Sequence, residues 1–167
     1  VVLFDCGLKS IKTNDFETIS RSLRVLDLSH NSLVDLPHDF DQIFSDLQCL
    51  DLSRNRFKYL PENISRIASL VWLNVSRNSY LRQLPTAWGS LFNRTNMKLL
   101  AFDNHSMIAP PKSICNKGSD FVLKWLHESM HLGTVVKAFK ILLVGPEGVG
   151  KTTILKTLQN HVSSSSS

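Results

Sequence analysis

Apolar residues recur through the first two thirds of the chain at intervals of two and three, each run broken by one asparagine and closed by a Leu-Pro pair. The first full copy runs Leu23, Leu26, Leu28, Asn31, Leu33, Leu36, Pro37, and the second Leu47, Leu50, Leu52, Asn55, Phe57, Leu60, Pro61. The third runs Leu70, Leu73, Val75, Asn78, Leu81, Leu84, Pro85, with one extra residue before its Leu-Pro. A weaker fourth reads Met97, Leu100, Phe102, His105, Met107, Pro110, Pro111, and a headless copy at the start reads Val1, Leu3, Cys6, Leu8, Ile11. Alternation such as Leu26-x-Leu28 predicts a short strand with its leucines on one side. Three residues beyond each proline stands Phe40, Ile64, Trp88 or Ile114, which predicts a short helical turn on the opposite side.

Aligned on Leu3, Leu28, Leu52, Val75 and Phe102, the copies are 25, 24, 23 and 27 residues apart. This spacing and pattern resemble the leucine-rich repeat, whose period is roughly 20–29 residues. The asparagine is expected to satisfy backbone groups of the next coil, with Cys6 an accepted stand-in. His105 departs from the pattern, so the ladder is expected to fray at the fourth copy. Between the inward leucines stand three outward columns: Asp27, Asp51, Asn74, Ala101; Ser29, Ser53, Ser76, Asp103; and His30, Arg54, Arg77, Asn104. Stacked repeats present such columns on an extended concave face suited to a protein partner. Asp27, His30, Asp51, Arg54 and Arg77 are therefore the candidate partner contacts, with a merely solvated face as the competing reading. Trp72 divides the same way, between a partner anchor and packing along the strand edge with Val25, Cys49 and Leu99.

The pattern changes after Pro111. From Gly118 to Leu132 the spacing is helical, with Phe121, Val122, Trp125 and Leu126 on one face, which suits a helix capping the last coil. Phe139 to Val144 reads as a buried strand, and Gly145-Pro146-Glu147-Gly148-Val149-Gly150-Lys151-Thr152 matches G-x-x-x-x-G-K-[ST] in full. Thr153 to Val162 continues as a helix with Ile154, Leu155 and Leu158 along its apolar side. In such a loop the glycines let successive N–H groups face phosphate oxygens, the lysine reaches the β- and γ-phosphates, and the hydroxyl ligates Mg²⁺. Gly145, Pro146, Glu147, Gly148, Val149, Gly150, Lys151, Thr152 and Thr153 are thus the candidate nucleotide-binding residues, with Thr152 the Mg²⁺ ligand.

His127-Glu128-Ser129-Met130-His131 is a rival, a literal H-E-x-x-H whose helical form serves zinc proteases with the glutamate as base. A protease needs a third ligand and a cleft. The residues after His131 are already taken by the strand, loop and helix, and the nearest acid, Glu147, lies within the phosphate loop. The pair reads instead as polar positions on the capping helix, and zinc chemistry ranks as a distant third reading.

Composition narrows the classes further. The chain is 167 residues, 43% hydrophobic and 20% charged, enough to bury a core. Its longest aliphatic run, Ile141 to Val144, is far short of the roughly 18 residues a membrane span needs. The net charge of +5 is uneven: twelve basic and eleven acidic residues in 1–111, seven and three in 112–167. No basic stripe interleaved with aromatics accompanies the excess, so a polyphosphate is the expected anion and nucleic acid is not an expected partner. Cys6, Cys49 and Cys115 are too scattered for a disulfide framework, which points to the cytoplasm. Four Asn-x-Ser/Thr triplets, at Asn63, Asn74, Asn93 and Asn104, would matter only in a secreted chain. Both ends look cut, and the terminal serines, 163–167, read as a disordered tail.

Taken in order, Leu-Pro repeats, the segment Pro110-Pro111-x-x-Ile114 through Leu126, then Lys140-Ile-Leu-Leu-Val-Gly145 and Gly150-Lys-Thr-Thr153 resemble the Roco family. There, leucine-rich repeats precede a Ras-like GTPase domain called Roc, and the leucine-rich repeat kinases are its best-known members. The resemblance implies an α/β chain in four parts: repeats over 1–111, a capping helix and linker over 112–137, the start of a Roc domain over 138–162, and the tail. It also implies GTP or GDP with Mg²⁺ in a complete parent, which would continue into a dimerisation region making it a homodimer, and often into a kinase. No D-x-x-G or N-K-x-D follows the loop, so the fragment itself is expected to hold no nucleotide tightly and to be inactive. An interaction module without an active nucleotide site is the alternative.

Overall fold

A computed structural model describes residues 1–16, 22–94, 97–103 and 105–131. The chain divides into two units, Val1–Gly133 and Thr134–Ser167, and the first is described here. It is built on four three-residue strands: β1 (Val25–Asp27), β2 (Cys49–Asp51), β3 (Trp72–Asn74) and β4 (Leu99–Ala101). They lie side by side, parallel and in chain order, with Leu26, Leu50, Leu73 and Leu100 in register. The headless first copy joins the same ladder, because Val2 bridges Asp27 and the Leu3 amide donates to the Asp27 carbonyl at 2.8 Å.

Opposite the strands, each coil closes through a short helical turn: Thr13–Phe16, α1 (Phe40–Ile43), Glu62–Arg66, Thr86–Leu91 and α2 (Lys112–Cys115). Phe40, Ile64 and Trp88, each three residues beyond a proline, are fully buried, while Ile114 is only partly so. With the strand leucines they form one continuous core, and each such side chain contributes about 1.5–3 kcal/mol through burial. Adjacent strands stand about 4.8 Å apart, closer than helical turns pack, so the sheet side is the inner side of the stack.

The asparagines hold one coil to another, but in the opposite direction to the expected one. Asn55 Nδ2 donates to the Leu28 carbonyl of the preceding coil at 2.9 Å, and its Oδ1 accepts from the Leu33 amide at 3.0 Å. Asn78 repeats the arrangement on Leu52 and Phe57, and Asn31 on Leu3, Cys6 and Leu8. The side chain sits at the turn leaving its own strand, where only earlier main chain lies within reach. Expected to fray at the fourth copy, the ladder instead keeps β4 in full register with β3 and departs only at the turn that follows. His105 is exposed, and where His30 and Arg54 donate their amides to the carbonyls of Ser53 and Ser76, the Arg77 amide turns to the Asp103 carboxylate.

A thirteen-residue helix, α3 (Ser119–His131), then packs chiefly on the turn Thr86–Leu91, with lesser contact to α2 and β4. Its buried face is Val122, Leu123 and Leu126. Trp125 is partly buried, but Phe121, expected on that face, is half exposed. The correction follows from how close the helix comes: Gly89 lies directly beneath Leu126 and His127, and that contact sets the rotation of α3.

Candidate interaction surface

Because strand residues alternate between faces, the leucines inside each strand leave two columns outside it. Val25, Cys49, Trp72 and Leu99 form the first, in register across all four strands, with Val25 and Leu99 about half exposed. Trp72 is partly buried within this apolar stripe, as the edge-packing reading expected. Asp27, Asp51, Asn74 and Ala101 form the second.

The second column is bound into the fold. Asp27 Oδ1 accepts from the Ser29 amide at 2.9 Å and from its hydroxyl at 2.6 Å. Asp51 Oδ1 accepts from the Ser53 amide at 2.8 Å, while its Oδ2 accepts from Asn74 Nδ2 at 3.1 Å. Asn74 Oδ1 in turn accepts from the amide and hydroxyl of Ser76. β1, β2 and β3 thus each end in a turn fastened by a side-chain oxygen two residues back, the usual role of Asp and Asn in tight turns, whereas β4 ends in Ala101. Ser29 and Ser53, expected to line the face, are buried beneath these bonds.

His30, Arg54 and Arg77 occupy the next position, the crest of that turn, with φ of 59°, 54° and 58°. Left-handed backbone costs a side-chain-bearing residue about 1–2 kcal/mol, and glycine, asparagine or aspartate fill such places more readily. Asp5, the equivalent residue of the first coil, obeys that preference with φ of 52°. The other three carry long or aromatic cation-forming side chains instead, all exposed. His30 Nδ1 lies 3.0 Å from Asp5 Oδ1, and its ring stands 5.4 Å from that of Phe4. Asp5, Gly7, His30, Asn31, Ser32 and Arg54 line an open hollow of about 300 Å³ at this rim. Five predicted partner contacts therefore lie on one face, but in two roles: Asp27 and Asp51 fasten turns, whereas His30, Arg54 and Arg77 project from them.

The first half of the H-E-x-x-H motif fares differently. His127 faces the repeats, its ring 5.6 Å from that of Phe92 and its Nε2 within 3.4 Å of Asn93 Nδ2, while Glu128 is exposed. Among the described residues no three His, Cys, Asp or Glu side chains gather where they could hold a metal. The asparagine triplets are similarly absorbed at two places, since Asn63 Nδ2 donates to the His38 carbonyl at 2.7 Å and Asn74 Nδ2 to Asp51. No disulfide joins the cysteines, and burial pushes the Cys115 thiol up. No described helix is long and apolar enough to cross a membrane. The candidate nucleotide residues, Gly145 to Thr153, lie outside the described residues, as do the strand and helix expected on either side of them.

Residues 21–79 match the family described as Leucine rich repeat. The chain is also similar to a probable serine/threonine-protein kinase, pats1, of Dictyostelium discoideum, being 34% identical over 85 residues. That stretch covers 51% of this chain and 3% of the kinase, so the chain spans a small part of its relative's length. The family match and the stacked parallel strands together make the segment from 21 to 79 a run of leucine-rich repeats in an α/β repeat fold.

Proposed function

We propose that this chain is a protein-binding scaffold that uses the sheet face of its repeats, joined to the beginning of a GTP-binding unit in a Roco-type signalling protein. The observation that carries the first part is the ladder itself: four in-register strands repeat the same outward positions, giving one continuous surface rather than an enclosed catalytic pocket. Such a surface suits an extended partner. The likeness to a protein named as a kinase favours a place in signalling, with a kinase elsewhere in the parent, and the three scattered cysteines favour the cytoplasm as its compartment.

The nucleotide part rests on sequence. Gly145 to Thr152 carries every residue type a phosphate loop requires, Lys151 for the β- and γ-phosphates and Thr152 for Mg²⁺. GTP or GDP with Mg²⁺ is the cofactor this reading assigns to the parent, and a homodimer the assembly.

Two measurements test the two parts separately. A photo-crosslinking amino acid placed at Val25, half exposed on the sheet face, captures a protein partner in cells, whereas one at Arg66 on the helical side does not; capture from Arg66 alone overturns the sheet-face reading. In the parent, Lys151→Ala abolishes retention of fluorescent GDP with the repeat fold intact; undiminished retention overturns the nucleotide assignment.

A further inference from the structure

The segments that lead from the strands back to the helical turns form a flank of their own. Main-chain bonds tie them coil to coil: the Ser32 amide donates to the Leu8 carbonyl at 2.8 Å, that of Arg56 to Leu33 at 2.8 Å, and that of Ile108 to Arg82 at 2.7 Å. Four consecutive coils each project one large apolar side chain from this flank, Val34, Tyr59, Tyr80 and Ile108, between 59% and 74% exposed. Apart from Val2, no described apolar side chain of that size is as exposed. An apolar set of this kind held in water marks a contact surface.

The same flank is basic. Lys9, Lys12, Arg56, Lys58 and Arg82 stand on it, all exposed, against a single carboxylate, Asp35. Residues 1–111 hold twelve basic and eleven acidic side chains, so the rest of the repeats carries seven and ten, and the excess belongs to this flank alone. Bonds to neutral groups do not alter the count: Arg82 donates to the carbonyls of Ser79 and Ser106, and Asp35 accepts from the Leu36 amide, each keeping its charge. Nor do the bordering turns reverse it, since they add Arg54 and Arg77 along with Asp5, Glu62 and Asp103, leaving seven cations against four carboxylates.

We infer that this flank lies on an anionic lipid surface, its cations among the headgroups and its four apolar side chains at the boundary with the acyl chains. The negative potential of such a surface attracts clustered Lys and Arg, and tyrosine suits the level where an apolar ring meets wet headgroups. Lys58 Nζ stands 5.3 Å from the centre of the Tyr59 ring, so charge and ring reach one level, with the lysine stem spanning the depth between. A headgroup layer yields around protruding side chains, whereas an acidic peptide needs a basic recess. The hollow on this flank, about 200 Å³ between Tyr59, Leu60, Glu62, Gln83 and Pro85, is lined by a carboxylate and no cation. Val34 and Ile108 offer no ring on which a nucleic-acid base could stack. The flank is separate from the sheet face, and its test is independent of the partner proposed there.

Cosedimentation of the whole chain with sucrose-loaded vesicles tests this, phosphatidylcholine with about 30% phosphatidylserine being compared with phosphatidylcholine alone at about 0.1 M salt. The chain binds the anionic vesicles at least about tenfold more tightly, and Lys9→Glu with Arg56→Glu and Lys58→Glu removes the preference. Arg66→Glu with Lys117→Glu and Lys124→Glu, the same change of net charge elsewhere, leaves it in place. Tyr80→Ser with Ile108→Ser weakens binding by at least about tenfold. Equal loss in the two charge-reversed variants overturns the flank as the site, and binding indifferent to the serine pair overturns the insertion of its apolar side chains. Equal binding to both vesicles, or none to either, overturns the inference. Tighter retention of a thymidine oligonucleotide or of a polyglutamate peptide by Lys9, Arg56 and Lys58 overturns the choice of a lipid.

Discussion

Gly89 lies so close beneath His127 that a methyl group at Gly89 would stand 2.5 Å from the His127 Cα and 2.5 Å from the Leu126 carbonyl carbon. The obstacle is main chain on both sides, which no rotamer change relieves. Gly89→Ala therefore lifts α3 off the turn Thr86–Leu91 and costs about 1–3 kcal/mol. Urea denaturation followed by circular dichroism measures the loss, and hydrogen exchange at Val122 and Leu126 locates it. A variant with an unchanged midpoint and unchanged protection refutes the close approach.

Asn55 is buried and makes four hydrogen bonds to main chain, to Leu28, Leu33, Leu52 and Ser53. Asn55→Ala leaves the Leu33 amide without its acceptor, at about 1–3 kcal/mol, while the carbonyls of Leu28, Leu52 and Ser53 keep Asn31, Asn78 and the His30 amide as donors. The change is expected to lower the urea midpoint far more than Arg56→Ala, its exposed neighbour. Equal midpoints for the two variants exclude the asparagine ladder as a source of stability.

Arg94 ties two coils together, one nitrogen of its guanidinium donating to the Ile67 carbonyl at 2.6 Å and the other to that of Ser65. The planar fork is what fits, and an ammonium group offers no equivalent pair. Arg94→Lys, though it keeps the charge, is thus expected to cost about 1–2 kcal/mol. A thermal melt indistinguishable from the parent's counts against the fork geometry.

The three thiols differ in reactivity. Cys6 is exposed, Cys49 partly so, and Cys115 is buried with Sγ 3.3 Å from the Pro110 carbonyl. Desolvation disfavours the Cys115 thiolate and raises its pKa, so at a given pH it holds less of the nucleophilic form. Iodoacetamide at pH 8 is expected to label Cys6 first and Cys115 last by at least about tenfold, the gap closing only on denaturation. Mass spectrometry of tryptic peptides over time reports the order.

The strands, the helical turns and the core were legible because each depends on where apolar side chains fall, and Leu26, Leu50 and Phe40 fall at regular intervals. Hydrophobic spacing says nothing, however, about which polar groups bond to one another. That Asp27 and Asp51 close their own turns while the side chains of Arg54 and Arg77 project from theirs is a matter of local main-chain geometry. A left-handed arginine leaves no mark in a sequence, since the residues that advertise that conformation are glycine and asparagine. The face of α3 was misjudged at Phe121 for a related reason: helical periodicity gives a stripe, but the rotation was decided by the missing side chain of Gly89.

The asparagines also impose an unequal dependence on the stack. Each belongs to a later coil and completes the main chain of the one before it, as Asn78 does for Phe57 and Asn55 for Leu33. Removing a leading coil takes one carbonyl acceptor from its successor's asparagine, which keeps two within its own coil, whereas removing a trailing coil leaves an amide of its predecessor with no acceptor. Deletions are therefore expected to cost more per coil at the back than at the front, and equal losses at the two ends count against this wiring. An uncovered carboxyl end is thus the more exacting of the two to terminate.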